Sequence, residues 1–85
     1  MNEPLFCEIE VIMPIHAVDL VKLCDAIRKA VGIAIWRKSV WIVAENILQI
    51  PITNPYQAIS LKAQIFDNGY WKAFVRNVGI RETVQ

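Results

Sequence analysis

Residues 5–14 alternate between two sets of side chains. One set is apolar throughout, and the other mixes acidic with apolar residues. The sets are Cys7, Ile9, Val11 and Met13 against Phe6, Glu8, Glu10 and Ile12. A period of two is typical of a β-strand with one buried face. The pattern therefore predicts a strand that ends at Pro14, which cannot donate a backbone hydrogen bond.

The period changes to three and four residues over 17–31, which predicts an amphipathic helix. Its apolar positions are Ala17, Leu20, Val21, Cys24, Ile27 and Val31. Asp19 near the start and Arg28 and Lys29 near the end suit the helix dipole. Asp25 is four residues before Lys29, so we expect these two to pair. Gly32 stands where a left-handed C-cap is expected.

Residues 33–52 are rich in Ile, Val and Trp and contain no glycine. This composition favours strands, most simply a β-hairpin. The turn lies either at Lys38-Ser39 or at Glu45-Asn46, and neither dipeptide is a strong turn signal. We favour the earlier turn, and expect Pro51 to end the second strand.

Residues 54–68 fit two patterns, because their apolar residues match both an alternating strand and a helical face. The ends decide in favour of a helix. Asn54 is a good N-cap, and Pro55 suits the first helical position. Asp67-Asn68-Gly69 is a plausible helix exit.

The segment 70–78 alternates again and predicts a final strand, which Gly79 and a frayed tail follow. One face would carry Tyr70, Lys72, Phe74 and Arg76, and the other Trp71, Ala73 and Val75. The order is then strand, helix, strand, strand, helix, strand. This order predicts an α+β fold of the ferredoxin-like, split βαβ type, with an antiparallel sheet and two helices on one face. At this length we expect a single domain over residues 1–85.

The composition bears on partners and location. Hydrophobic residues make up 55% of the chain, more than one small core readily hides, so we expect a homo-oligomer or another protein partner. The net charge of +1 by itself argues neither for nor against a nucleic-acid partner, which stays possible but weakly supported. There is no membrane-spanning apolar run, and the acidic start, Met1 to Phe6, does not resemble a signal peptide. We expect a cytoplasmic protein with reduced thiols.

No catalytic, metal or cofactor site is recognised. The soft metal ligands are Cys7, His16 and Cys24, whose spacing matches no zinc pattern, and both cysteines fall on predicted buried faces. The three glycines are isolated and form no phosphate-binding loop. Glu8 and Glu10 share a face of the first strand. We expect them to form ion pairs with Lys72 and Arg76 of the final strand, its expected neighbour, rather than to act in catalysis.

The bare face of the sheet is the predicted working surface. Its residues would be Phe6, Ile12, Tyr70, Lys72, Phe74 and Arg76. Exposed apolar patches usually mark partner sites, so the sequence favours a non-enzymatic interaction module: an adaptor, regulator or inhibitor that dimerises through this face or an edge strand. The alternative is single-stranded nucleic-acid binding by the aromatic and basic residues of the final strand.

Overall fold

The structure is a computed structural model that describes residues 5–82. It is a small α+β fold with a four-stranded antiparallel sheet and four helices. The strands are β1 (Leu5–Val11), β2 (Val40–Ile42), β3 (Ile47–Ile52) and β4 (Val75–Glu82). The helices are α1 (Ala17–Val31), α2 (Ile33–Trp36), α3 (Pro55–Phe66) and α4 (Gly69–Lys72).

The strands lie in the order β2-β3-β1-β4, so β1 is central and β4 forms one edge. Each neighbouring pair is antiparallel. Cys7 of β1 lies opposite Ile50 of β3 and Ile80 of β4. Residues that oppose each other in an antiparallel pair share a face, so this register defines the two faces of the sheet.

One face of the sheet packs against α1 and α3, and the core lies between them. The buried cluster is Cys7, Ile9, Val11, Leu23, Ile27, Leu48, Ile50, Ala58, Leu61, Ile65, Val75 and Val78. The buried face of β1 is the one that its alternation predicts. Trp36, Trp41 and Trp71 are half-buried against this cluster, as expected for tryptophan in a small core.

The bounds of both long helices follow local sequence signals, but the buried residues of α1 are Leu23 and Ile27, whereas Val21 of the predicted apolar face is 66% exposed. α1 has the predicted bounds, and Lys29 Nζ lies 3.1 Å from a carboxylate oxygen of Asp25. Gly32 ends α1 with a φ of 92°, although its ψ of 155° lies outside the left-handed helical region. At the start of α3, the Asn54 side chain accepts a hydrogen bond from the Gln57 backbone N–H at 3.3 Å. The helical interpretation of residues 54–68 is therefore confirmed.

The prediction for residues 33–52 is partly wrong. Residues 33–36 form α2, which Ile35 and Trp36 hold against the core. The turn is the later of the two alternatives: a short 3-10 segment precedes Asn46, which takes a left-handed φ of 57° that asparagine tolerates. The Asn46 carbonyl also accepts a hydrogen bond from the Val11 N–H at 2.9 Å. This hydrogen bond connects the turn to β1, a contact that the local sequence of the hairpin does not reveal.

Pro51 does not end β3, which continues to Ile52. The register explains why proline is tolerated there. β2 reaches along β3 only to Gln49, so β3 has no β2 neighbour at Pro51. Proline is accepted in a strand where one side lacks a partner.

The prediction of a strand over residues 70–78 is also partly wrong. Residues 69–72 form α4, and β4 begins only at Val75. The Asn68 side chain accepts a hydrogen bond from the Tyr70 N–H at 2.9 Å and caps the new helix. The strand continues through Gly79 to Glu82, where we expected a frayed tail. The rest of that tail, residues 83–85, lies outside the described residues.

Candidate functional site

The free edge of β4 is the feature that stands out. β4 has eight residues and pairs on one side with β1. Within residues 5–82, no strand pairs with its other side. The opposite edge of the sheet, β2, has only three residues. Edge strands present unpaired N–H and C=O groups, and short strands limit that exposure. β4 therefore offers much the longer template for pairing with another chain.

Exposed apolar side chains border this edge on the helix side. Ile80 of β4 is 44% exposed and Ile59 of α3 is 58% exposed. Both line a shallow depression of about 220 Å³, together with Ala58, Lys62, Val78 and Gly79. A strand added to β4 would cover these side chains while its backbone pairs with the edge.

The two arginines of β4 are paired with glutamates of β1. Arg81 Nε lies 3.1 Å from Glu8 Oε1, and Gln49 Nε2 donates a hydrogen bond of 3.1 Å to the other Glu8 oxygen. Arg76 lies 3.8 Å from the carboxylate of Glu10. The two arginines therefore do not leave β4 with an unbalanced positive charge.

The ion-pair prediction for the two glutamates is confirmed in part. Arg76 pairs with Glu10, as expected. Lys72 belongs to α4 rather than to a strand, and Glu8 pairs instead with Arg81. Asn77 pairs with Glu10 and Val75 with Val11, so Arg76 is the additional residue of a β-bulge.

The predicted aromatic and basic row does not exist as a strand face. Tyr70 and Lys72 lie in α4, Phe74 lies in the following turn, and only Arg76 belongs to β4. Tyr70 and Phe74 do meet, with ring centroids 5.2 Å apart in an edge-to-face arrangement. Helical and turn geometry, not strand alternation, brings these two rings together.

Phe6 and Ile12, the other two predicted partner-binding residues, are separated along β1. Phe6 lies near the start of the strand, opposite Pro51 and Arg81, and is half-buried. Ile12 follows the strand and donates its backbone N–H to the Phe74 carbonyl at 2.8 Å. Six residues of extended chain span roughly 20 Å. Phe6 therefore does not share a patch with Tyr70 and Phe74.

The aromatic cluster of Tyr70, Trp71 and Phe74 connects α4 to other parts of the fold. The Tyr70 hydroxyl donates a hydrogen bond to the Asp19 carboxylate in the first turn of α1. This bond, together with the negative charge of Asp19, raises the pKa of Tyr70. Trp71 lies 4.6 Å from Tyr70 between ring centroids and packs against the core. Because these contacts hold α4 against α1 and the core, less of the aromatic surface is available to bind a partner.

Both cysteines are free thiols, Cys7 buried and Cys24 half-buried. Burial, and then the adjacent Glu8 charge, raises the pKa of Cys7 from 9.0 to about 11. Burial also raises the pKa of Cys24. A raised thiol pKa opposes formation of the nucleophilic thiolate. His16 is exposed at the N-cap of α1 and makes no side-chain capping bond.

Over residues 5–82, no three His, Cys, Asp or Glu side chains come close enough to hold a metal ion. Helices of the length and apolarity needed to cross a membrane are not found in this range either.

The alternation predicts a strand that ends before Gly79, so it does not point to Ile80 and Arg81 of the observed β4. A signal was present: Val78 and Ile80 continue an apolar alternation on either side of Gly79. Asn68 likewise carried the signal for α4, since asparagine is a favoured N-cap.

Comparison with protein-family models, curated proteins and solved structures gives no match. The site is therefore defined by its own geometry: the eight-residue free edge of β4 with its apolar border, on a small α+β fold.

Proposed function

We propose that this chain is a non-enzymatic protein-interaction module, an adaptor, regulator or inhibitor, which forms a homodimer by pairing the free edge of β4 with β4 of a second copy. The observation that carries the proposal is the length of this edge, eight residues against three in β2. Antiparallel pairing of two such strands would join the sheets of both copies into one.

A second copy suits this edge in both charge and shape. Arg76 and Arg81 are each paired with a glutamate of β1, which lowers repulsion between two copies of β4. Residues of one face meet across an antiparallel pair. Ile80 of one copy would therefore meet Val78 or Ile80 of the other on the helix side, and would lose its exposure to water.

A binding role rather than a catalytic one is supported by the raised pKa values of both thiols and by the exposed position of His16. The two free cysteines also support a reducing compartment such as the cytoplasm.

We also infer that the fold belongs to the ferredoxin-like class. The strand order β2-β3-β1-β4, the antiparallel pairing throughout and the placement of α1 and α3 on one face support this classification. In this interpretation the four-residue helices α2 and α4 are additions to the split βαβ plan.

Nucleic-acid binding stays an untested prediction. The strand-borne platform that motivated it is absent from residues 70–76, because Tyr70 and Lys72 are helical. The arginine of that row is paired with Glu10. Neither observation favours the stacking of single-stranded nucleic-acid bases along this segment.

The test of the proposal is molar mass in solution, measured by light scattering over a wide concentration range. The wild-type chain should be a dimer at high concentration. Ile80→Lys should give a monomer, because it places a charge at the centre of the interface. Val40→Lys, an equivalent change at an exposed position on the β2 edge, should leave the dimer intact.

A second variant keeps the test decisive if Ile80→Lys fails to fold. Ile59→Lys alters an exposed helical position beside the same edge and should also weaken the dimer. Circular dichroism checks that each variant is folded. A wild-type chain that is monomeric at all concentrations would overturn the proposal. Loss of the dimer in Tyr70→Ser, but not in the β4-edge variants, would move the interface to the aromatic cluster.

A further inference from the structure

A second site lies away from the β4 edge, between the C-terminal end of α1 and the first turns of α3. It is a cavity of about 390 Å³, a size within the range of small-molecule sites. Aliphatic and uncharged polar residues line it, among them Ala30, Ile35, Ile52, Tyr56, Gln57 and Gln64. None of its lining residues belongs to β4 or lines the depression beside the β4 edge.

The lining divides into two chemically different walls. α1, α2 and β3 contribute aliphatic side chains, among them Val31, Ile35 and Ile52. The α3 segment contributes uncharged amides and hydroxyls. The lining includes no Asp, Glu, Lys, Arg or His. A cavity of this kind suits an uncharged molecule that has an apolar face and a hydrogen-bonding edge.

Existing hydrogen bonds decide which groups remain for a ligand. Gln64 Nε2 donates to Ser60 Oγ at 3.2 Å, which holds the carboxamide in place. The carboxamide keeps a second N–H and its Oε1. Gln57 Oε1 already accepts from the backbone N–H and the hydroxyl of Thr53, at 2.7 and 3.2 Å. Gln57 therefore offers donors only, whereas Gln64 keeps both an N–H donor and an acceptor oxygen.

We propose that this cavity binds an uncharged adenine compound, a free base or nucleoside, with Gln64 as the residue that recognises the base. A glutamine carboxamide forms two hydrogen bonds with adenine, accepting from the N6 amine and donating to N7. Tyr56, 77% exposed at the same cavity, provides an aromatic ring on which a flat base can stack. The absence of a cation in the lining disfavours the phosphorylated forms.

The test uses adenosine, inosine and adenosine monophosphate as probes, each titrated into the ¹⁵N-labelled protein and followed by NMR. Adenosine should give saturable shifts at the side-chain amides of Gln57 and Gln64. Inosine replaces the N6 amine with a carbonyl oxygen and loses one of the two bonds, so its affinity should be about tenfold lower. Adenosine monophosphate should also bind more weakly than adenosine. Equal binding of adenosine and inosine, shifts located elsewhere or no shifts with adenosine would overturn the proposal.

Two variants test the cavity itself. Ala30→Leu narrows it from the α1 side and should lower adenosine affinity about tenfold. Ala63→Leu, at an exposed position of α3 that does not line the cavity, is the matched control and should bind normally. Equal affinity of the two variants would contradict this location. Ile80→Lys should bind adenosine with the affinity of the wild type. The measurements of dimerisation and of adenosine binding can therefore fail independently.

Discussion

Glu8 and Arg81 form an ion pair between β1 and β4, with Arg81 Nε 3.1 Å from Glu8 Oε1. The Glu8 side chain is only 14% exposed, and its other oxygen accepts the hydrogen bond from Gln49 of β3. One carboxylate thus connects three neighbouring strands on the face of the sheet away from the helices. The Glu10–Arg76 pair on the same face is longer, at 3.8 Å, and more exposed.

These two ion pairs should contribute differently to stability. Glu8→Ala removes the carboxylate that accepts from both Arg81 and Gln49. It should lower the free energy of unfolding by about 1–2 kcal/mol. Glu10→Ala breaks a longer surface pair, and its effect should stay below about 0.5 kcal/mol. Urea unfolding of the two variants provides the comparison. Equal losses in both would mean that the network around Glu8 adds nothing beyond a surface ion pair.

The Tyr70–Asp19 hydrogen bond should be visible in a pH titration. The bond and the Asp19 charge raise the pKa of Tyr70, so the folded protein favours the protonated phenol. This contribution to stability is present below the ordinary tyrosine pKa of 10.0 and is lost as the pH rises through the higher folded value. Asp19→Asn should bring the Tyr70 pKa back toward 10.0, measured from its ring carbon shifts by NMR. An unchanged titration would show that the contact does not persist in solution.

Gly32 and Gly69 should respond oppositely to substitution by alanine. Gly32 has a φ of 92°, a conformation that costs other residues about 1–3 kcal/mol. Gly32→Ala should therefore lower stability by about that amount. Gly69 begins α4 without a positive φ, and a Cβ there would meet open space. Gly69→Ala should raise stability by about 0.4–1 kcal/mol. Thermal unfolding of both variants checks the signs, and destabilisation of similar size in both would contradict this account.

The two cysteines should differ in reactivity toward a thiol reagent at neutral pH. Cys7 is fully buried with a pKa of about 11, so it should react only when the protein unfolds. Cys24 is half-buried, and burial raises its pKa, so it should react slowly in the folded state. Cys24→Ser should remove the slow folded-state reaction, whereas Cys7→Ser should preserve it. Rapid labelling of both thiols in the folded protein would contradict the burial described for Cys7.

β1, α1 and α3 could be predicted from the sequence because their signals are local. Alternation along β1 identifies its buried face, and the apolar spacing of α1 matches its observed bounds. Asn54 and Pro55 mark the start of α3 through the geometry of the helix N-terminus. Each of these signals depends on residues within a few positions of one another, so no knowledge of the remaining fold is needed.

The hairpin turn, α2, α4 and the extent of β4 depended on the tertiary structure. Residues 33–36 have strand-like composition but become helical because Ile35 and Trp36 reach the core in that form. Residues 70–78 alternate, yet only pairing with β1 defined where the strand begins, and it placed Arg76 in a bulge. Because the strand begins at Val75, the candidate interface is at Ile80 rather than at Tyr70 and Phe74. A pattern of period two states that a segment can form a strand, but which residues pair is decided by neighbours distant in the chain.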